Sequence, residues 1–513
     1  MLNRCTICFS LILLFVTGTA AVAQKIVYSE PERDDSRRMN FEIIGKFGNN
    51  FLIYKNPRNR DFICLYDNEM KQVGKVEMDY IPDDRLINVD FFPYTDFSYV
   101  VYQYQRKNVV YCMSVKVDGS GKRISEPVEL DSSHIGFAAN NKIYSAISSE
   151  DKSKISIFKI NSKNRQNYVL TTLLFNDKLE LQRKNVNGIP MDDRNDYLDE
   201  FFVDNDGNLV FAKYSRLNSD NIVKAAMMIK KADSDSLIAN ELKLGDKILL
   251  DEIHIKIDNN NKRYFLTSFY YKQRRGNVDG FYFYVWDKTV SQPVLENVLV
   301  FNDELRREAR GEASLKTAFN DYFIRNVIIK RDGGFIIGSE SFYTTSRYNT
   351  WNRWDYMYGS PFMSPYDYYY YSPYYSNLWW RSNYFRNQNQ NTRSHADNVV
   401  ILSFSKDGQL EWSNVLAKDQ YDDDGDFRVS YQLMNTGGQL HFLFNQQEKR
   451  MLMLNDYSIA PDGQINRNPT LKNLEKGYEF MPKYGKQVSS KQVIIPCIYR
   501  NYICFAKLDY NQP

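Results

Sequence analysis

The chain is poor in the residues that build metal and hydrolytic centres. It has four histidines, His134, His254, His395 and His441, and no two stand at ligand spacing. A zinc site of the H-E-x-x-H kind is therefore excluded. No G-x-S-x-G elbow and no phosphate-binding glycine loop occurs. No cofactor is expected. Of six cysteines, only Cys64, Cys112, Cys497 and Cys504 lie beyond the first 23 residues. Four in a chain this long do not make a disulfide framework. Charge of one sign is also lacking: 66 Lys and Arg stand against 63 Asp and Glu, with no long run of either. Nothing here steers the chain toward nucleic acid or an anionic membrane. Helical periodicity is nearly absent, and no Pro/Gly/Ser linker divides the chain.

The one markedly apolar run lies at the start. Arg4 gives a short positive region, residues 9–16 (FSLILLFV) an apolar core, and Ala21-Val22-Ala23 the small residues that a signal peptidase reads. Residues 1–23 are expected to be a signal peptide, cleaved before Gln24. The apolar run is about half the roughly 20 residues that a membrane span needs, which argues against an uncleaved anchor. Cys5 and Cys8 do not follow a small-residue box, so a lipid anchor is not expected. No second span follows. The protein is expected to be exported, periplasmic or associated with the outer envelope, with release from the cell as the alternative. No C-terminal sorting domain is evident.

What the chain has in abundance is strands. Apolar and aromatic runs of five to nine residues, many alternating, are separated by turn residues. Aromatics make up 15% of the chain, with 39 Tyr, a composition that suits half-buried strands and recognition surfaces alike. The strands group in fours, from 41–78, 86–130, 135–185, and then from 198, 251, 322 and 427. A last set of three covers 480–487, 492–499 and 503–509. The spacing of about 45 to 70 residues is that of four-stranded sheets arrayed radially. The sequence thus predicts an all-β fold, a single β-propeller of about eight blades spanning 24–513. Seven blades is the alternative grouping, and two β-sandwiches or two smaller propellers are the rival architectures. A strand over 25–29 is available to complete the last set and close the ring, which removes two exposed edges. The best helix candidate, 303–318, is interrupted by Gly311 and reads as a short helix or a loop.

Asp118-Gly119, Asp206-Gly207, Asp332-Gly333-Gly334, Asp407-Gly408 and Asp462-Gly463 mark turns between strands. Residues 327–341 (VIIKRDGGFIIGSES), 399–405 and 406–412 (KDGQLEW) show a strand, a D-G-G turn, a strand ending in G-S, a further strand and a Trp-bearing strand. This resembles a blade of the secreted β-propeller proteins common in Bacteroidetes. The resemblance covers one blade well, the others loosely, and the turn at Asp407-Gly408 is shorter than the pattern. It implies fold and export and carries no catalytic residues. The same stretch departs from the Asp box of sialidase-like propellers, since Gly408 comes one position early and Glu411 replaces Thr.

Within the sixth set, residues 343–397 form an insertion rich in Tyr, Trp, Asn and Gln. Four of the six tryptophans lie in it: Trp351, Trp354, Trp379 and Trp380. Pro361, Pro365, Pro373 and the Asn/Gln run at 387–391 argue against regular structure. So long a loop is usually functional or low-complexity. As a recognition element it would act through Trp351, Trp354, Tyr368, Tyr369, Tyr370, Tyr371, Trp379 and Trp380, whose rings offer contact area at low entropy cost.

Two acidic loops offer oxygen ligands for calcium. One holds Asp422, Asp424 and Asp426; the other holds Asp192, Asp193 and Asp196. Neither completes an EF-hand, because position twelve of the first is Tyr431 and not Glu. Cys497 and Cys504 flank a predicted two-residue hairpin turn at Arg500-Asn501. They face each other at a hydrogen-bonded pair, where Cα atoms sit about 5.5 Å apart. They are read as a disulfide or as two buried thiols. The functional expectation is a non-enzymatic interaction protein of the cell envelope, binding an unidentified protein or glycan through propeller loops and the insertion. The alternative is a polysaccharide-active enzyme with carboxylates meeting in a central channel.

Overall fold

A computed structural model of the chain describes residues 25–510, except 37–38, 140, 165, 192–194, 217–220, 312, 347–349, 352–369, 372–391, 424, 449–450 and 469–476. The predicted leader at 1–23 lies outside the described residues. The described strands form consecutive antiparallel sheets, each built from neighbouring stretches of sequence.

Blade 1 comprises Asn40–Phe47, Asn50–Asn56, Phe62–Tyr66 and Gln72–Glu77, and blade 2 Arg85–Pro93, Phe97–Arg106, Val109–Asp118 and Val128–His134. Blade 3 runs from Ser145–Ser148 through Lys154–Asn164 and Asn167–Asn176 to Leu181–Pro190. Blade 4 holds Asp196–Val203, Leu209–Arg216, Ile222–Lys230 and Leu237–Glu241, and blade 5 His254–Asp258, Arg263–Tyr271, Gly280–Asp287 and Gln292–Val300. A short strand, Leu249–Leu250, pairs with both Ile222 and Tyr270–Tyr271 and joins these two blades into one sheet. Blade 6 is Tyr322–Ile329, Phe335–Ser346, Thr392–Phe404 and Leu410–Leu416, and blade 7 Tyr431–Asn435, Leu440–Glu448, Met451–Ile459 and Ile465–Arg467. Blade 8 pairs Gln492–Tyr499 with Tyr502–Asp509, and Lys25–Tyr28 completes its outer edge, with Lys25 opposite Asp509 and Tyr28 opposite Ala506.

Among the described residues, the eight blades enclose eight hydrophobic cores, one between each adjacent pair. Successive side chains of a strand point to opposite faces, so each strand feeds both flanking cores. Phe51 and Ile53 pack with Phe505 and Ile494 of blade 8, while Leu52 and Tyr54 pack with Val100 and Phe91 of blade 2. Phe265 and Phe269 face blade 6, and Tyr264 and Leu266 face blade 4. The series closes on itself, because one core joins blade 7 to blade 8 and another joins blade 8 to blade 1. The fold is an eight-bladed propeller, which decides between the eight and seven of the sequence reading.

Three details differ from the sequence expectation. The predicted strand at 480–487 is two short strands, Tyr478–Phe480 and Lys486–Ser489, parted by a 3-10 turn at Pro482–Tyr484. Pro482 has no N–H to give a ladder, which is why the strand breaks there. Blade 3 begins at Ser145 and not near 135. The candidate helix is confined to Asp303–Ala309, where Asn302 accepts the Leu305 N–H and Leu305 and Ala309 bury against blades 5 and 6. Among the described residues, no helix is long and apolar enough to cross a membrane.

Candidate functional site

The first strands of neighbouring blades touch one another, blade 3 with 4, 4 with 5, 5 with 6, and 1 with both 2 and 8, so they lie innermost, around the central channel of the propeller. Among the described first strands, those of blades 1, 2, 4 and 6 carry a β-bulge, at Ile43/Gly45, Leu86/Asn88, Asp199/Phe202 and Ile324/Asn326, and Lys486–Ser489 of blade 8 carries one at Gln487/Ser489. A bulge leaves one residue unpaired and re-aims its side chain. In blades 1 and 2 the bulged residues are Ile44 and Ile87, both buried in the adjoining cores. In blades 4 and 6 the bulge holds an ionisable side chain: Glu200 (beside Phe201) and Arg325.

Glu200 sits at φ +57°, a left-handed conformation that costs an L residue about 1–2 kcal/mol. Its carboxylate crosses to blade 5 and accepts the Ile255 N–H at 2.9 Å. On the approach to blade 5, Glu252 Oε2 lies 3.8 Å from His254 Nε2. The protein surrounds this group, yet water reaches it: Glu252 is 42% and His254 25% exposed at the side chain. Arg325, 38% exposed, has its Nε 3.3 Å from Glu340 of the next strand, and its guanidinium lies 5.6 Å from the Phe342 ring. Arg216 lies against the rings of Tyr197 and Tyr214, at 5.3 and 5.4 Å.

These surroundings displace the titrations. Burial, with the Asp199 charge beside it, pushes the Glu200 carboxyl up to about 8. Burial pushes Asp199 up to about 6 and raises Glu252. Burial, helped by Arg325, pushes the His254 imidazole down to about 4, so it is neutral near pH 7. Behind Arg325, Glu340 meets Lys418 at 2.7 Å with both side chains fully buried, and Ser430 donates to Glu340 at 2.6 Å. From the far side, Lys483 pairs with Asp426 at 2.5 Å, and Arg428 with Glu479 at 2.9 Å.

Strands alternate in direction, so loops after a blade's second and fourth strands emerge on one face. Glu252 and Asp321 lie on fourth-to-first connections, and the 343–397 insertion follows a second strand. Glu252, Asp321 and the described ends of the insertion, at Ser346 and Thr392, therefore belong to the same face. At the root of the insertion, the Tyr343 ring stacks on His395 at 4.5 Å, and Thr345 Oγ1 lies 3.1 Å from His395 Nε2. Asp397 bonds the Tyr343 hydroxyl, and burial beside Asp397 pushes Asp321 up to about 6. Tyr370–Tyr371 then form two residues of strand on blade 3, opposite Asn161 and Ile160. Blades 4 and 5, with Glu200, Glu252 and His254, lie between the two anchorage points.

Of the aromatic residues singled out in the sequence, Trp351 is in a two-residue strand opposite Thr344, and Tyr370 and Tyr371 are those on blade 3. Trp354, Tyr368, Tyr369, Trp379 and Trp380 lie outside the described residues, as does Asp424 of the first calcium candidate. Asp422 pairs with Arg428 at 3.1 Å, and Asp426 with Lys483. Of the second loop, Asp192 and Asp193 are outside the described residues, and Asp196 accepts from Ser215. Among the described residues, no group of three or more His, Cys, Asp and Glu is placed to hold a metal ion. Cys497 and Cys504 are direct register partners and both carry free thiols.

The channel group was not singled out from sequence, where His254 reads as a plain strand residue. One signal could have found it. Leu198-Asp199-Glu200 recurs as Leu250-Asp251-Glu252, 52 positions on (250 − 198), each at the start of a blade.

No family model matches the chain, and no curated protein matches it. Solved structures are similar over much of its length. The WD40 domain of SCAP from fission yeast shares 9% identity over 95% of this chain and 98% of that one, with a TM-score of 0.41. The polysaccharide lyase Uly1 shares 10% over 82% and 90%, with a TM-score of 0.38. Prolyl oligopeptidase B from Galerina marginata shares 9% over 91% of this chain and 56% of that one, with a TM-score of 0.41. At such scores the likeness carries no argument. The propeller rests on its own sheets and its ring of cores.

Proposed function

We propose that this protein is an exported binding propeller of the cell envelope. Its recognition surface is the channel mouth on the insertion-bearing face. The observation that carries this reading is the placing of ionisable side chains, Glu200 and Arg325, at two inner-strand bulges, where blades 1 and 2 have buried Ile44 and Ile87. A cationic guanidinium and a hydrogen-bonding carboxyl in an enclosed, water-reached channel recognise polar groups strongly, because few waters compete there. The ligand class is a glycan or a polar protein segment.

The test is a glycan array and an envelope-extract pull-down with the exported chain, a variant lacking 347–391, and Arg325→Ala. Loss of a common ligand in both variants supports the reading. Binding unchanged in both overturns it.

One observation favours a second reading, an enzyme acting on a polysaccharide. Glu200 holds its proton at pH 7 while Asp199 beside it is largely ionised, a division found between general acid and base. Turnover of an array-positive glycan, abolished in Glu200→Gln, would establish that reading over plain binding.

A further inference from the structure

The structure assigns a covalent modification site to the ring closure: we infer that Cys497 and Cys504 are joined, reversibly, by a cross-strand disulfide. The two strands of the last hairpin, Gln492–Tyr499 and Tyr502–Asp509, turn through Arg500 and Asn501, both with positive φ (48° and 70°). This is the backbone of a two-residue hairpin whose twist matches its strands. It fixes the register, with Tyr499 opposite Tyr502, Ile498 opposite Ile503 and Cys497 opposite Cys504. The sulfur atoms are 3.3 Å apart. Closing that gap to a bond of about 2.05 Å needs only small side-chain rotations. Both thiols are fully buried in the core between blades 7 and 8, so no other cysteine competes. Cys64 belongs to the core of blades 8 and 1, and Cys112 to that of blades 2 and 3.

The position has a consequence for the whole ring. The strand bearing Cys504 is the one on which Lys25–Tyr28 closes the propeller. A bond here ties the second strand of the closing blade to its third, and so holds in place the strand on which Lys25–Tyr28 docks. The pair is a hydrogen-bonded register site, where a bridge is under strain and is more easily reduced than most. Hence the link is reversible.

The chemistry balances with a disulfide oxidant. One thiolate attacks a sulfur of oxidised glutathione, forms a mixed disulfide and releases one reduced glutathione. The second thiol displaces the other glutathione. Two electrons reduce the oxidant, and the two thiol protons end on the glutathiones. Burial pushes the Cys497 thiol well above its ordinary range, so attack in the folded chain is slow and follows opening of the hairpin.

The experiment uses the full chain, incubated with excess oxidised glutathione, then unfolded in guanidinium chloride containing iodoacetamide and digested with trypsin without reduction. Trypsin cuts after Lys491, Arg500 and Lys507, which places the two cysteines on separate peptides, 492–500 and 501–507. The expected result is these two peptides joined by a disulfide, parted by dithiothreitol, with Cys64 and Cys112 recovered alkylated. Recovery of both peptides separately alkylated overturns the assignment, as does a link from either to Cys64 or Cys112. The oxidised chain is also expected to unfold at a higher temperature than the reduced one. Equal midpoints would overturn the role in the clasp. Both readings are made on the native chain and do not depend on a variant folding.

Discussion

Glu200 combines a left-handed backbone, a bond to the neighbouring blade and a carboxyl held near 8. Its folded-state pKa lies above its ordinary value of 4.5. Between those values the folded chain keeps the proton and the unfolded chain releases it. Stability from this group is thus fully present below pH 4.5 and is lost as pH rises through about 8. Asp199 acts in the same direction, with loss as pH rises through about 6. Glu200→Gln is expected to flatten the decline in urea midpoint from pH 4.5 to 8; an unchanged slope would place the group outside this coupling. His254 opposes this slope at the acid end: its folded value of about 4 lies below its ordinary 6.5, so its contribution grows as pH rises from about 4 to 6.5 and is level above that. Such groups resist recognition from sequence. A single histidine and scattered Asp and Glu read as solvated strand residues, and only the L-D-E step at 198–200 and 250–252 sets them apart.

At the scale of elements, a turn motif recurs that the Asp-Gly pairs announce only in part. The side chain of the residue opening the turn accepts the N–H groups two and four positions on. Asp67, Asp118, Asn176 and Asp204 all do so. The fourth turn residue has positive φ, filled by Gly121 and Gly207 but also by Met70 and Leu179. A search for Asp-Gly finds the first kind and misses the second. Asp204 also joins two blades: it accepts from Tyr264 of blade 5 at 2.6 Å and pairs with Lys288 at 2.6 Å. It is almost fully buried. Asp204→Ala leaves several of these donors without an acceptor, at about 1–3 kcal/mol for each unsatisfied buried group. The expected outcome is a loss of at least about 2 kcal/mol in chemical denaturation, against no change for an exposed control such as Asp462→Ala.

The described residues form a closed chain of cores, and blade 8 is the one blade built from both ends of the chain. Lys25–Tyr28 contributes one strand, the Ser29 N–H bonds Phe505 O, and the buried pair of Lys55 and Asp35 at 2.5 Å pins the segment that follows. Removing 25–36 exposes an edge on blade 8 and leaves Lys55 buried without its carboxylate. Breaking a buried pair from one side costs about 3–5 kcal/mol. Such a truncated chain is expected to unfold well below the full chain and to associate through its open edge, read by calorimetry and light scattering. A monomer of unchanged melting temperature would show that the cores hold the ring without the clasp.

The sequence by itself determined the class, the four-strand grouping, the closing strand and the hairpin that sets Cys497 opposite Cys504. Each depends on short-range alternation and turn chemistry, which a linear reading contains. Only the tertiary structure decided the number of blades, because weak outer strands such as Ile465–Arg467 are recognised by their pairing and not by their composition. Only it brought Glu200, Glu252, His254 and Arg325 to one channel, for they come from three blades up to 125 positions apart (325 − 200). Bulges chose which of these side chains turn inward, and a bulge is a property of two strands in register. One chain segment cannot reveal it.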